Sequence, residues 1–496
     1  MEMQWKSTPC SHLCCTVREI QNQEQTLEIR LTEGMPDIGR VLCAWGQPQL
    51  REKQWRSEEV GISGGVQAWV LYVPEDGSQL RCVEGWIPFQ AKWKLPSDSR
   101  DGFIRADLRL RSMDARAISS RKMILRVSIA MLVETLQQRE TPISQPGEVP
   151  EGVFLLQKTY PAQLAKEAGE KLFTVEETIN IDAQQMEKFL CCHTECQVTE
   201  NAVSGGRVVI RGVLRAQCIY IGEDGRLHSA TQEIPFAQLA ELEQDYDKEA
   251  YAHITMSCAG VGVSAEEGVL RLRCDMIGQY VIYDRCLMQV TEDAYSPHRA
   301  ISPMLSQLEV PVVLDRLKEH MDGELELHVQ AQNVVDVTFL PDHPAYYRED
   351  DELVVEVPGV FQILYYDSED NLQSNMEHWA GHWKVRAGEQ CNFSMYLEQT
   401  QASTAMVLGD KVRLRGDLAL HMQTSVLQQI PMVTGLEVGQ MMPPDPKRPS
   451  LILRRPDGLS LWQLAKDCGS TVDAIERANG LVSEPDPEHM LLIPVL

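Results

Sequence analysis

Basic residues are scarce in this chain: 46 Lys and Arg stand against 72 Asp and Glu, a net charge of −26. Nucleic acids are held by clustered Lys and Arg that displace counterions, so the balance argues against a nucleic-acid binder. It argues equally against docking on anionic lipid through a basic patch. Long apolar runs are missing as well. The best, Met123 to Val133, carries Arg126 and falls short of the ~20 residues a membrane helix needs, so no membrane insertion is expected. The opening Met1-Glu-Met-Gln-Trp-Lys6 has neither the basic nor the apolar region of a signal peptide, which predicts a cytoplasmic protein. Catalytic signatures are also lacking. There is no His-Glu-x-x-His and no phosphate loop. No enzyme and no cofactor are expected. What remains is ordinary globular composition, 43% hydrophobic and 24% charged over 496 residues, room for several domains of roughly 150 residues.

The informative feature is internal repetition. Glu75-Asp76-Gly77 recurs 148 residues later as Glu223-Asp224-Gly225, and Ile87-Pro88-Phe89 recurs 147 later as Ile234-Pro235-Phe236. Glu369-Asp370-Asn371 supplies a third turn. Leu125-Arg126 recurs as Leu272-Arg273 and Leu414-Arg415. Before each turn runs a strand-like segment, clearest from Ile210 to Tyr220, where Ile210, Gly212, Leu214, Ala216, Cys218 and Tyr220 share one face. Gly225 and Asn371 suit the positive φ of a hairpin. The proline of Ile-Pro-Phe belongs at a strand start or on an edge strand. Phe236 to Leu242 is a short helical candidate. The fold expected is mainly β, with three repeated β-rich domains at 1–145, 151–295 and 301–440. A Pro-rich linker at 441–450 then acts as a stiff spacer that holds the tail away from an elongated body.

The tail, 451–496, reads as strand–helix–helix–strand. Leu451-Ile-Leu453 opens it. Ser460-Leu-Trp-Gln463 is a capping box, and Leu461, Leu464 and Ala465 give the first helix an apolar face. Ser470-Thr-Val-Asp473 starts a second helix bearing Val472, Ile475 and Ala478, closed by Asn479-Gly480. Leu491-Leu-Ile493 returns as a strand, stopped by Pro494.

Two cysteine clusters, Cys10-Ser-His-Leu-Cys14-Cys15 and Cys191-Cys192-His193-Thr-Glu-Cys196, carry zinc-ligand residue types. Neither has paired Cys-x-x-Cys spacing, so no metal is expected; in the second, the cysteines divide between the two faces of a strand. His378 and His382, beside Trp379 and Trp383, take a sheet reading in which the tryptophans pack.

The tail resembles a LysM module, through Leu464-Ala465, Asn479 and the closing Leu491-Leu-Ile-Pro494. The β-rich region resembles the SPOCS repeats of SipL-type spore-coat morphogenetic proteins, with Met35-Pro-Asp-Ile-Gly-Arg-Val-Leu42, the Gly212 to Tyr220 strand and Ile-Pro-Phe as landmarks. The resemblance implies a non-enzymatic scaffold in spore coat or envelope assembly, working in the mother-cell cytosol at the forespore surface. The LysM-like domain would bind a SpoIVA-like coat ATPase, with other coat proteins as further partners. The alternative is a LysM protein binding the N-acetylglucosamine of peptidoglycan. Pro456-Asp-Gly-Leu-Ser-Leu461 departs from the usual Pro-Gly-Asp-Thr-Leu opening, and Pro487-Glu-His-Met490 lacks the usual glycine. Those loops, with the acidic Glu484-Pro-Asp-Pro-Glu488, flank the glycan groove, so peptidoglycan is the disfavoured ligand. The expected partner-binding residues are Gly458, Ser460, Leu461, Trp462, Lys466, Asn479 and Leu481. Trp462 is weighed as an interface anchor against packing on Leu491 or Ile493, and Lys466 would favour an acidic partner surface.

Overall fold

The computed structural model describes residues 3–96, 101–181, 186–266, 269–350, 352–386, 391–443, 447–481 and 489–496. The acidic loop Glu484–Glu488 and the centre of the Pro-rich segment, 444–446, lie outside them. The chain is mainly β, with 77% of it in strands and 3% in helix.

Strands pair locally in three successive stretches, here called units. In the first unit, β1 (Trp5–Arg30), β6 (Lys122–Pro146) and β5 (Phe103–Ser119) form one antiparallel sheet in that order. β2 (Ile38–Trp55), β3 (Glu59–Pro74) and β4 (Arg81–Lys94) form another. The second unit pairs β7 (Phe154–Ile179), β12 (Val269–Tyr295) and β11 (Tyr251–Glu266), and separately β8 (Met186–Ser204), β9 (Arg207–Gly222) and β10 (Leu227–Glu241). The third pairs β13 (Arg299–Leu327) with β20 (Lys411–Met441), whose other edge takes β18 (Asn392–Gln399) and β19 (Thr404–Leu408). Its second sheet centres on β16 (Glu352–Asp367), with β17 (Leu372–Arg386) on one side and β14 (Ala331–Pro341) and β15 (Ala345–Glu349) on the other. Pro341 and Pro344 bracket the gap between β14 and β15, where a proline cannot donate to the ladder.

Each unit buries its own core between its two sheets. Val70 and Tyr72 face the first, Leu214 and Cys218 the second, Ile363 and Tyr365 the third. On β9 the period-two face read from the sequence, Ile210 to Cys218, is buried. Phe236 to Leu242 is not a helix. Phe236 to Glu241 complete β10, where Ile234, Phe236 and Ala240 point inward while Pro235, Ala237 and Leu239 are exposed, a period of two that overrides the helix-forming composition.

The Ile-Pro-Phe landmark has a packing reason. In register, Phe236 lies opposite Gly212, Phe89 opposite Gly64, and Trp379 opposite Gly359. An edge-strand aromatic thus covers a glycine of the central strand in every unit, and Pro88 and Pro235 sit on edge strands. A Cβ on Gly212 would lie 2.3 Å from the Gln197 carbonyl oxygen and 2.5 Å from the Phe236 ring. Gly212→Ala is therefore expected to lower stability by about 1–3 kcal/mol through overpacking, read from the urea midpoint. The hairpin turns place Gly77 at φ 70° and Gly225 at φ 73°. In the third unit the left-handed residue is Asp370, at φ 64°, and not Asn371, because its turn is set one residue earlier and closed by Asp370 N–H on the Asp367 carbonyl at 3.1 Å. Asp tolerates that conformation.

The units do not form an elongated string: every pair of them is in contact. Leu71, Ile219 and Leu364, from the three central strands, meet in one buried cluster with Trp69, Ile221 and Tyr366. At the other end Ile143, Leu164, Val290, Leu308 and Ile430 form a second shared cluster. Polar bonds follow the same plan. Asp336 of β14 accepts from Trp45 of β2 at 3.0 Å and from Gln217 of β9, and Gln47 of β2 accepts from the Thr194 amide of β8 at 3.0 Å. The first residues close onto the third unit, with Met3 N–H on the Leu436 carbonyl at 3.2 Å.

The cysteine clusters fall into these surroundings. Cys191 lies in the shared cluster with Cys43, whereas Cys192 faces the core of the second unit beside Cys218. On β17, Trp379 and Trp383 pack on the third core, while His382 is exposed toward Glu356. No group of three or more His, Cys, Asp or Glu fit to hold a metal ion occurs among the described residues.

Candidate functional site

The last described segment forms a small head of order β21 (Leu451–Arg454), α1 (Leu461–Cys468), α2 (Val472–Asn479), β22 (Leu491–Pro494), its two strands antiparallel. Ser460 caps α1, its hydroxyl accepting from the Gln463 amide at 3.2 Å, and Gly469 ends it at φ 65°. The cap of α2 is Thr471, accepting from the Ala474 amide at 3.1 Å; Ser470 stands one residue too early. Leu461, Leu464, Ala465, Cys468, Ile475, Leu491 and Ile493 make the core. Ala478 is exposed, because only Ile475 of α2 turns fully inward.

The residues expected to bind a partner divide into two groups. Ser460 works as a cap. Leu461, 6% exposed, is a core residue with no surface to offer. Asn479 ties α2 to β22, its amide donating to the Leu492 carbonyl at 2.7 Å and its oxygen accepting from the Leu492 amide at 2.8 Å. Leu481 is half-buried against the same core, and Gly458 holds φ 81° in the turn before α1. Trp462 and Lys466 instead leave the head.

Those two side chains meet the second unit. Trp462 Nε1 donates to Asp293 Oδ2 at 2.9 Å, and Lys466 Nζ reaches both Asp293 oxygens at 2.8 Å. The Trp462 ring stands edge-on to Tyr295 at 4.7 Å between centroids, and Phe154 stacks on Tyr295 at 5.5 Å. Burial alone would raise the Asp293 carboxyl; hydrogen bonds from Lys466 and Trp462 outweigh it and hold it below the usual range. The tail is thus docked on the end of β12. A stiff spacer holding it away does not describe the chain, since Asp293 and Tyr295 supply a polar and aromatic seat that linker composition could not reveal. The indole of Trp462 and the ammonium of Lys466 both engage one carboxylate, Asp293, of the same chain.

A second feature lies between the units: a cavity of about 590 Å³ whose walls include Arg109, His193, Glu195, Lys318, Glu398 and His421. His193 is buried, with its imidazole held neutral by loss of solvation; its Nε2 donates to Gln217 Oε1 at 3.1 Å. Burial pushes the Glu195 carboxyl up to about 7, with Arg215 pulling it down and Asp336 adding to the rise. A carboxyl raised in the fold is neutral at low pH, and its penalty grows as pH climbs from the unfolded value through about 7. Glu195→Gln is therefore expected to stabilise the chain at pH 8 by about 2 kcal/mol, discounted for partial exposure, and to change little at pH 4. Thermal midpoints at the two pH values check the sign. The sequence signal for this site was Glu195 inside a strand-like cysteine segment, an acidic residue where a two-faced apolar strand has none.

Comparison with known proteins gives one family. Residues 185–259 match the family model SipL, SPOCS domain. The match covers β8, β9, β10 and the start of β11, the half of the second unit that carries Gly212, Phe236 and His193. It supports a SipL-like SPOCS domain in that stretch. No curated protein and no solved structure matches the chain. Among the described residues, no helix is long and apolar enough to cross a membrane.

Proposed function

We propose that the chain is a non-enzymatic scaffold of spore coat or envelope assembly, built of three SPOCS-like repeats at 1–145, 151–295 and 301–440 and a LysM-like domain at 451–496. The observation that carries this reading is the SipL, SPOCS domain match at 185–259. The recurrence of one strand-pairing pattern in three units supports the repeats. The strand–helix–helix–strand order supports the LysM-like domain. The domain recruits a SpoIVA-like coat ATPase through a face that includes Gly458, Trp462, Lys466 and Leu481, and the β-body offers further coat proteins additional contacts. Joining several weak faces in one molecule raises the effective concentration of partners at a growing layer. The protein works in the mother-cell cytosol at the forespore surface.

Docking of the head gives this reading a control. Trp462 and Lys466 already satisfy Asp293, so an acidic partner surface competes with Asp293 for the same two side chains. A fluorescent fusion expressed in sporulating cells tests the placement. A ring at the forespore surface is the expected result, and uniform cytosolic signal throughout sporulation contradicts it.

A further inference from the structure

Cys10 and Cys286 are 276 positions apart in sequence, yet their sulfurs lie 3.9 Å apart. Cys10 is on β1 and Cys286 on β12, so the pair spans the first and second units. Cys10, 8% exposed, belongs to the shared cluster with Ile143, Met288 and Ile430, and Cys286 lies half-buried at its margin. A cation stands beside them. Lys166 is the extra residue of a β-bulge in β7, where Ile282 pairs with Glu167 but Tyr283 pairs with Ala165. Its ammonium donates to the Ser11 carbonyl at 2.8 Å, next to Cys10.

The two thiols are inequivalent. Cys286 is lowered to about 6 by the hydrogen bond from Cys10, against burial, with Lys166 assisting. Cys10 is pushed far up, first by the same bond and then by burial. One thiolate with a protonated thiol beside it is the arrangement of an attacking and a resolving cysteine. Another close pairing, Cys192 opposite Cys218, is 2% and 0% exposed, sealed from any soluble oxidant.

We propose that Cys10 and Cys286 form a reversible redox site that closes to a disulfide, binding the first strand of the first unit to the last strand of the second, with a small soluble disulfide such as glutathione disulfide as oxidant. The Cys286 thiolate attacks one sulfur of the oxidant, whose S–S bond breaks and releases one glutathione thiolate, which takes a proton from solvent. The Cys10 thiol gives its proton to solvent, and its sulfur attacks Cys286 Sγ, expelling the second glutathione as thiolate. Two protein thiols are oxidised to one disulfide, and one glutathione disulfide is reduced to two thiols. The bond fastens the contact between units that the shared apolar cluster makes, so oxidation locks the body and reduction frees it.

The test uses the full chain, reduced and then exposed to glutathione disulfide at neutral pH. Remaining thiols are alkylated, and peptides are mapped by mass spectrometry without reduction. The expected result is a linked pair of peptides containing Cys10 and Cys286, faster migration on a non-reducing gel, and a raised thermal midpoint that a reductant reverses. Cys10→Ser should leave a glutathione adduct on Cys286 and no link; Cys286→Ser should give neither. Before oxidation, Cys286 should alkylate about ten-fold faster than the half-buried Cys391, in line with its thiolate character. Recovery of both cysteines unlinked and fully alkylatable after oxidation overturns the proposal. So does a Cys286 no more reactive than Cys391. The wild-type map decides even where a serine variant fails to fold.

Discussion

Glu134→Ala is expected to destabilise the chain by about 3–5 kcal/mol, the cost of stranding a buried charge. Glu134 and Arg105 are each 6% exposed and form an ion pair. Arg18 reaches the same carboxylate at 3.2 Å, so removing Glu134 leaves two guanidinium groups with their anion gone. Arg105 also donates to His253 Nδ1 at 2.7 Å. His253 is held far below its usual range, by burial first and then by Arg105, so it stays neutral and accepts from Arg105 without balancing its charge. His253 stacks on Tyr396 at 4.0 Å, and Tyr396 stacks on His421 at 4.4 Å. The ion pair of the first unit is thereby joined to the second and third. Urea denaturation of Glu134→Ala beside the double variant Glu134→Ala/Arg105→Met separates charge from packing. The double variant should recover much of the loss; a single-variant loss below about 1 kcal/mol, as for a surface pair, contradicts the role given to this junction.

Asp293→Ala is expected to release the head. Its carboxylate takes three hydrogen bonds from the head, one from Trp462 and two from Lys466, beside one from the Ala294 amide; without the three, the aromatic contact with Tyr295 and the neighbouring apolar residues Phe154 and Ile301 hold the head among the described residues. Limited proteolysis should then cut between residues 442 and 459 several-fold faster than in the parent, with the β-body intact. If Trp462 and Lys466 form the partner face, the same variant should bind the coat ATPase about ten-fold more tightly, because no internal carboxylate competes. Trp462→Ala should have the opposite effect on binding, a loss of about 2 kcal/mol typical of a buried aromatic anchor. Equal cleavage rates in Asp293→Ala and parent would show that the clasp does not hold the head.

Much of the local structure was legible because it rests on short-range rules. The hairpins at Asp76-Gly77 and Asp224-Gly225, the Ser460 cap and the closing Asn479-Gly480 each follow from a few neighbouring residues. Phe236 to Leu242 was misread for a complementary reason. Ala, Gln and Leu favour a helix locally, but Phe236 is held in a strand by Gly212 across the sheet. Asn371 was misplaced by one residue because Asp and Asn both tolerate a left-handed backbone. The contacts between units were not legible: the bond from Trp45 to Asp336 joins positions 291 apart. A signal for them did exist. Cys218-Ile-Tyr-Ile221, Trp69-Val-Leu-Tyr72 and Ile363-Leu-Tyr-Tyr366 stop alternating and run continuously apolar, as strands buried on both faces do. They are the stretches whose second face enters the shared cluster. The seat for the head was hidden more completely, since Asp293 and Tyr295 look like an ordinary strand end until Trp462 is placed on them.

The most direct test of the scaffold reading is the affinity of a SpoIVA-like ATPase for the purified full chain and for the chain ending at residue 443, measured side by side by calorimetry. Micromolar or tighter binding by the full chain, lost on removal of the head while the β-body keeps its strand content by circular dichroism, is the predicted result. Undiminished binding by the shortened chain contradicts it.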